Sequence, residues 1–241
     1  MLRKSRNNFL IVIFILLLSG NNYAQDGTKN YNYFIYPQYL SPSEYKHSIL
    51  IYAAKLPEDM VEEATNWIFA PVFAYSAKYG ISNRFVLTAG FNTNIITYNF
   101  SLGARWVHRW DKFSFSLGYS AAHFFGSLNT FGFKSNIYGW FSYPNITIGY
   151  QFSNFALAVR TEALILISFN ETIDEIEVPH HVGNYDGISL GFYIEQPLWK
   201  KNVVILGMKF TVSKFYYPAW MAFTRFDRHL LIAETVLGFN L

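Results

Sequence analysis

Val203-Val204-Ile205-Leu206-Gly207-Met208-Lys209-Phe210-Thr211-Val212-Ser213 reads as two interleaved sequences. Val204, Leu206, Met208, Phe210 and Val212 fall on one face, and Gly207, Lys209, Thr211 and Ser213 fall on the other. Side chains alternate across an extended strand, so this pattern predicts a strand whose two faces meet unlike surroundings. The pattern recurs from Ile96, where Ile96, Tyr98, Phe100, Leu102, Ala104 and Trp106 oppose Asn99, Ser101, Gly103 and Arg105. It recurs from Phe155, where Phe155, Leu157, Val159, Ala163, Ile165 and Ile167 oppose Ala156, Ala158, Arg160, Glu162 and Ser168. From Ile188, Ile188, Leu190, Phe192 and Ile194 oppose Ser189, Gly191, Tyr193 and Glu195.

Alternation alone also suits a soluble sandwich. Three further features separate the two. The strands read at about 10 to 14 residues, whereas strands of soluble proteins run near 5 or 6. The charges sit on the face rich in Gly, Ser, Thr and Asn, and the opposite face is almost purely apolar, as in a barrel with lipid outside and a polar lumen. Connections also alternate in length. Ten strands are expected near 47–56, 66–79, 85–93, 95–108, 112–124, 137–152, 155–168, 187–199, 203–215 and 229–241. Tight turns follow the second, fourth, sixth and eighth. Most connections at the other end are longer, at 57–65, 125–136, 169–186 and 216–228, although the one near Thr93-Asn94 is short; short periplasmic turns and long outer loops give this asymmetry. The fold class is therefore all-β, an antiparallel transmembrane β-barrel of about ten strands, with eight or twelve left open by uncertain boundaries.

Aromatic residues fall into two bands, as amphipathic rings do at headgroup depth. Tyr79, Phe85, Trp106, Trp110, Phe113, Tyr150, Phe152, Phe155 and Trp199 lie near the tight turns. Trp67, Phe124, Phe125, Tyr138, Trp140, Phe169, Phe215, Tyr216 and Tyr217 lie near the long loops.

Residues 1–24 are expected to be a secretory signal peptide. Arg3, Lys4 and Arg6 precede an apolar run from Phe9 to Leu18, and a polar stretch ends at Ala24. The run is too short for a membrane-spanning helix, which needs about 20 apolar residues. Residues 25–46, dense in tyrosine and interrupted by Pro37 and Pro42, read as a periplasmic arm or a segment entering the lumen; 47–241 read as the barrel. Acidic residues after Pro57 predict a short helical turn up to Ala64.

The 241 residues include no cysteine, which excludes disulfides, thiolate metal sites and a cysteine nucleophile. Aromatic residues make up 20% and charged residues 15%, which excludes intrinsic disorder. The net charge of +3 hints at an anionic partner, but residues 1–24 carry three basic groups and no acid. Without them, 16 Lys+Arg (19 less 3) face 16 Asp+Glu, so no nucleic-acid partner is implied.

His229 to Leu241 resembles the C-terminal recognition strand of outer-membrane proteins, although that strand usually ends in Phe and this one ends in Leu241. Tyr79-Gly80-Ile81-Ser82-Asn83-Arg84-Phe85, with Leu87 and Gly90, resembles a turn of small outer-membrane β-barrel proteins of Gram-negative bacteria. The resemblance implies the cell outer membrane as location, outer-membrane lipids as surroundings and the barrel-assembly machinery as a partner of the last strand. It carries no catalytic residues, and it leaves the oligomeric state open.

The alternation points Lys78, Arg105, Arg160, Glu162, Glu195, Lys209 and Glu234 into the lumen at similar depth. Opposite charges in a narrow barrel would pair and block it; a selectivity constriction is the functional alternative. Asp227-Arg228-His229 resembles half of an outer-membrane aspartyl protease site, but no Asp-x-Asp accompanies it. Ser120 and His123 are a bare lipase-like pair with no nucleophile motif around them. Acids and the His180-His181 pair between Asn170 and Asp186 read as a solvated outer loop rather than a metal site. No cofactor is expected. The function expected is non-enzymatic, structural or interactive, in the outer membrane, with a narrow solute channel next and a surface hydrolase third.

Overall fold

A computed structural model describes residues 31–57, 69–130, 133–174, 176–179, 185–198, 202–220 and 228–241. The expected signal peptide, the helical turn at 58–64, Trp67, His180, His181, Trp199 and Asp227 lie outside them.

The strands are β1 (Tyr45–Lys55), β2 (Phe69–Gly80), β3 (Phe85–Thr93), β4 (Thr97–Trp110), β5 (Phe113–Thr130) and β6 (Phe133–Gln151). They continue as β7 (Ala156–Ile173), a three-residue β8 (Ile176–Val178), β9 (Tyr185–Pro197), β10 (Val203–Ser213) and β11 (Leu230–Asn240). Each long strand pairs antiparallel with its neighbour in sequence, with β9 following β7 in the ring and β8 folded back on the tip of β7. The ring of ten closes where β1 meets β11, from Ser48 opposite Asn240 to Lys55 opposite Ala233. Closure removes sheet edges, so every strand of the ring of ten has hydrogen-bonding neighbours on both sides, the condition for crossing a bilayer as strands.

The two faces follow the alternation. On β11, Leu231, Leu237 and Phe239 are exposed outside, whereas Ile232, Glu234, Val236 and Asn240 are buried inside. On β4, Leu102 is 72% exposed and its neighbours on the same face, Phe100 and Ala104, are exposed too.

The structure corrects the expected outer end. Residues 125–130 and 133–136 are strand: β5 and β6 run on as a ladder to Thr130 opposite Phe133. β7 likewise continues to Ile173, where Asp174 (φ 46°) turns the chain and its Oδ1 accepts from the Lys134 amide at 2.9 Å. Pairing satisfies backbone groups beyond the apolar belt as well as within it, so strand length there carries no alternation signal. Ser168 was expected inside. An irregularity beside Trp140 and Phe141 leaves Ile167 extra, pairs Ser168 with exposed Trp140 and turns Phe169 into the core. One extra residue in a strand reverses the facing of all that follow. Ile96 was expected outside; Ile95 at φ 79° turns the chain and Ile96 packs against the inner cluster.

Candidate functional site

The lumen is built in three levels. At the end of the tight turns it holds residues of the N-terminal segment, with Tyr33, Phe34, Ile35, Tyr36 and Leu40 buried. Glu195 fastens this segment. Its Oε1 accepts from the amides of Phe34 (2.6 Å) and Ile35 (2.9 Å), and its Oε2 from that of Tyr36 (2.5 Å). A carboxylate taking consecutive amides is a charge-assisted anchor, roughly twice as strong per bond as a neutral one. Lys78 donates its ammonium to the Phe34 carbonyl and sits 4.6 Å over the Phe34 ring. Tyr36 donates to the Lys112 carbonyl at 3.1 Å, and Ser114 donates to that of Pro37.

Gly149 shows how close the segment lies to the wall. A Cβ at that position would stand 2.5 Å from Tyr36 Cδ2. Gly149→Val should therefore displace the Tyr36 ring and cost about 1–3 kcal/mol, as overpacking does, read as a lower urea midpoint in detergent. An unchanged midpoint would place Tyr36 elsewhere.

The middle level carries charge. Lys209 and Glu234 are direct cross-strand partners on β10 and β11 and pair at 3.0 Å. Tyr216 donates its hydroxyl to the other oxygen of Glu234 at 3.0 Å. Arg160 and Glu162, two apart on β7 and so on one face, pair at 2.5 Å. These pairs border a cavity of about 180 Å³ whose facing wall, from β2 to β5, offers Ser76, Asn92, Asn99, Ser101 and Ser120. The seven charges named from the sequence thus do not form one ring. Glu195 and Lys78 serve the N-terminal segment, Arg160, Glu162, Lys209 and Glu234 surround the middle cavity, and Arg105 lines a smaller chamber with Lys78 and Arg160.

The outer level is aromatic. Phe124, Phe141, Phe169, Phe215 and Trp220 are buried together, with ring centroids of Phe124 and Phe215 5.3 Å apart and of Phe141 and Phe215 5.9 Å apart. The chain after β10, including a single 3-10 turn at Tyr217–Ala219, folds back into the mouth. The Trp220 indole donates to Thr97 Oγ1 at 2.8 Å, and Asn94 donates to the Pro218 carbonyl at 2.6 Å. This corrects the expected outer girdle. Phe125, Tyr138 and Trp140 are exposed outside, but Phe124, Phe169, Phe215 and Tyr216 fill the lumen. The near girdle is exposed at Tyr79, Phe85, Trp110, Phe113, Tyr150 and Phe152. Sequence reasoning missed this plug, although the run Phe215-Tyr216-Tyr217-Pro218-Ala219-Trp220 is too apolar for a free loop.

Ser120 and His123 do not meet. Ser120 borders the cavity, while His123 lies outside against Trp140, ring centroids 4.8 Å apart. Positions three apart on a strand face opposite ways. His229 is exposed at the start of β11, 6.2 Å from the Tyr185 ring.

A closed antiparallel ring with an apolar outside and a polar, filled inside defines a transmembrane β-barrel. No family model matches the sequence, and no curated protein matches it. Among solved structures the chain is similar to Neisserial surface protein A, at 11% identity and TM-score 0.31 over 82% of this chain and 96% of that one. It is similar to outer membrane phospholipase A from Escherichia coli at 10% identity and TM-score 0.36, over 87% and 98%. A de novo designed transmembrane β-barrel matches at 7% identity and TM-score 0.31, over 84% and 98%. A surface protein, an enzyme and a designed barrel match alike, so the likeness carries no role.

Proposed function

We propose that the protein is an integral outer-membrane barrel of non-enzymatic, structural or interaction role, with a lumen shut by its own chain. The carrying observation is that both ends of the lumen are filled among the described residues, by the segment anchored on Glu195 and by the aromatic plug around Phe215. A small barrel already has an interior little wider than its side chains. The outward face of Leu, Ile, Phe and Tyr suits lipid, and the last strand is the part offered to the assembly machinery. Among the described residues, Ser120 and His123 face opposite ways and form no nucleophile–base pair.

A planar-bilayer recording tests this reading. The purified full chain should give no steady single-channel current. Steady, ion-selective currents would replace it with the narrow-channel reading, which the charged middle cavity favours as second choice.

A further inference from the structure

We propose that the lumen binds one small monovalent inorganic anion, of halide or nitrate class, between Arg105, Lys78 and Arg160. The three cations line a chamber of about 90 Å³ that, among the described residues, no carboxylate lines. The carboxylates nearby are already engaged. Glu195 takes three amides, Glu162 holds Arg160, and Glu234 holds Lys209 and Tyr216. Asp186 is buried farther out, where it accepts from the Phe215 amide at 3.3 Å, and it borders neither cavity.

Arg105 is therefore the unanswered charge. It is 6% exposed, and the carboxylate whose charge reaches it, Glu162, is already paired with Arg160 at 2.5 Å. Arg160 Nε is buried without a partner as well. A guanidinium removed from water without a counter-charge is strongly destabilising, and a bound anion removes that cost. The chamber is shaped for one. Across the ladder from Arg105 the space over Gly118 is taken by the Asn145 amide, and Ser76, Ser101 and Ser120 bring hydroxyl donors to the chamber wall. A water molecule occupies about 30 Å³ of liquid, so the chamber of about 90 Å³ has room for a halide or nitrate that keeps part of its hydration. One uncompensated guanidinium calls for one negative charge, hence a monovalent ion.

The test uses the full chain refolded in detergent micelles, with urea unfolding followed in sodium bromide against sodium gluconate at equal ionic strength. Bromide should raise the midpoint saturably, as a ligand of the folded state does, gluconate should not, and Arg105→Gln should lose the bromide response. Absence of a bromide response, an equal response in Arg105→Gln, or a larger response to sulfate than to bromide would overturn the proposal. Should Arg105→Gln fail to fold, anomalous scattering from crystals of the unaltered chain grown in bromide decides. A peak in the chamber supports the site, and an empty chamber refutes it.

Discussion

Glu195→Ala should unseat the N-terminal segment and cost the barrel about 3–5 kcal/mol, the range for removing one member of a buried charged contact. The loss has two sources. The amides of Phe34, Ile35 and Tyr36 lose their acceptor at once, and each buried unsatisfied donor costs about 1–3 kcal/mol before the structure relaxes. Lys78, which clamps the other side of Phe34, then stays buried beside Arg105 and Arg160 with one negative charge fewer nearby. Relaxation is available, because the segment can swing out toward the tight turns and let water in. Limited proteolysis should therefore cut within residues 31–44 in the variant and spare them in the parent, while the urea midpoint falls. Glu195→Gln keeps one acceptor oxygen and should fall between the two. An Ala variant with an unchanged midpoint and a protected segment would remove Glu195 from its anchoring role.

The second large effect concerns the outer face. Leu102 stands mid-strand on β4 and is 72% exposed. Leu102→Arg should cost about 2–4 kcal/mol in a bilayer, the penalty for a cation at the midplane of a barrel's lipid face. Ser127, exposed on β5 beyond the girdle residue Phe125, provides the control. Ser127→Arg should cost only about 0–1 kcal/mol, because the penalty fades toward the interface. Reversible urea unfolding in lipid vesicles measures both. Equal costs at the two positions would mean that the belt is not where the alternation and exposure put it.

How much of this was readable in the sequence depends on what each residue meets. Strand number, order and facing in the belt were legible because lipid and lumen impose opposite demands on successive residues, as on β10 and β11. The rule loses force where that contrast ends. Beyond the belt, β5 and β6 continue as strands whose exposed residues, such as Ser127 and Asn129, are polar, and inside the mouth Phe124 and Phe215 are as apolar as lipid-facing residues. The extra residue at Ile167 carries no mark in the sequence, yet it decides whether Ser168 or Phe169 turns inward. Of the charges, Arg160 with Glu162 was legible as two positions on one face. Lys209 with Glu234 needed the register between β10 and β11, and the anchoring of Phe34 to Glu195, 161 residues apart, needed the folded chain. The separation of Ser120 from His123 was already implied by parity.

The absence of cysteine allows the central claim, a closed barrel whose outer face meets lipid, to be tested by single introduced cysteines along β11. Nitroxide labels at Leu231, Ala233, Thr235, Leu237 and Phe239 in vesicles should collide freely with dissolved oxygen, which concentrates in the bilayer. Labels at Ile232, Glu234 and Val236 should be shielded from it. Oxygen accessibility that rises and falls with a period of two is the predicted result; uniform accessibility, or aqueous exposure on the Leu237 face, would contradict it.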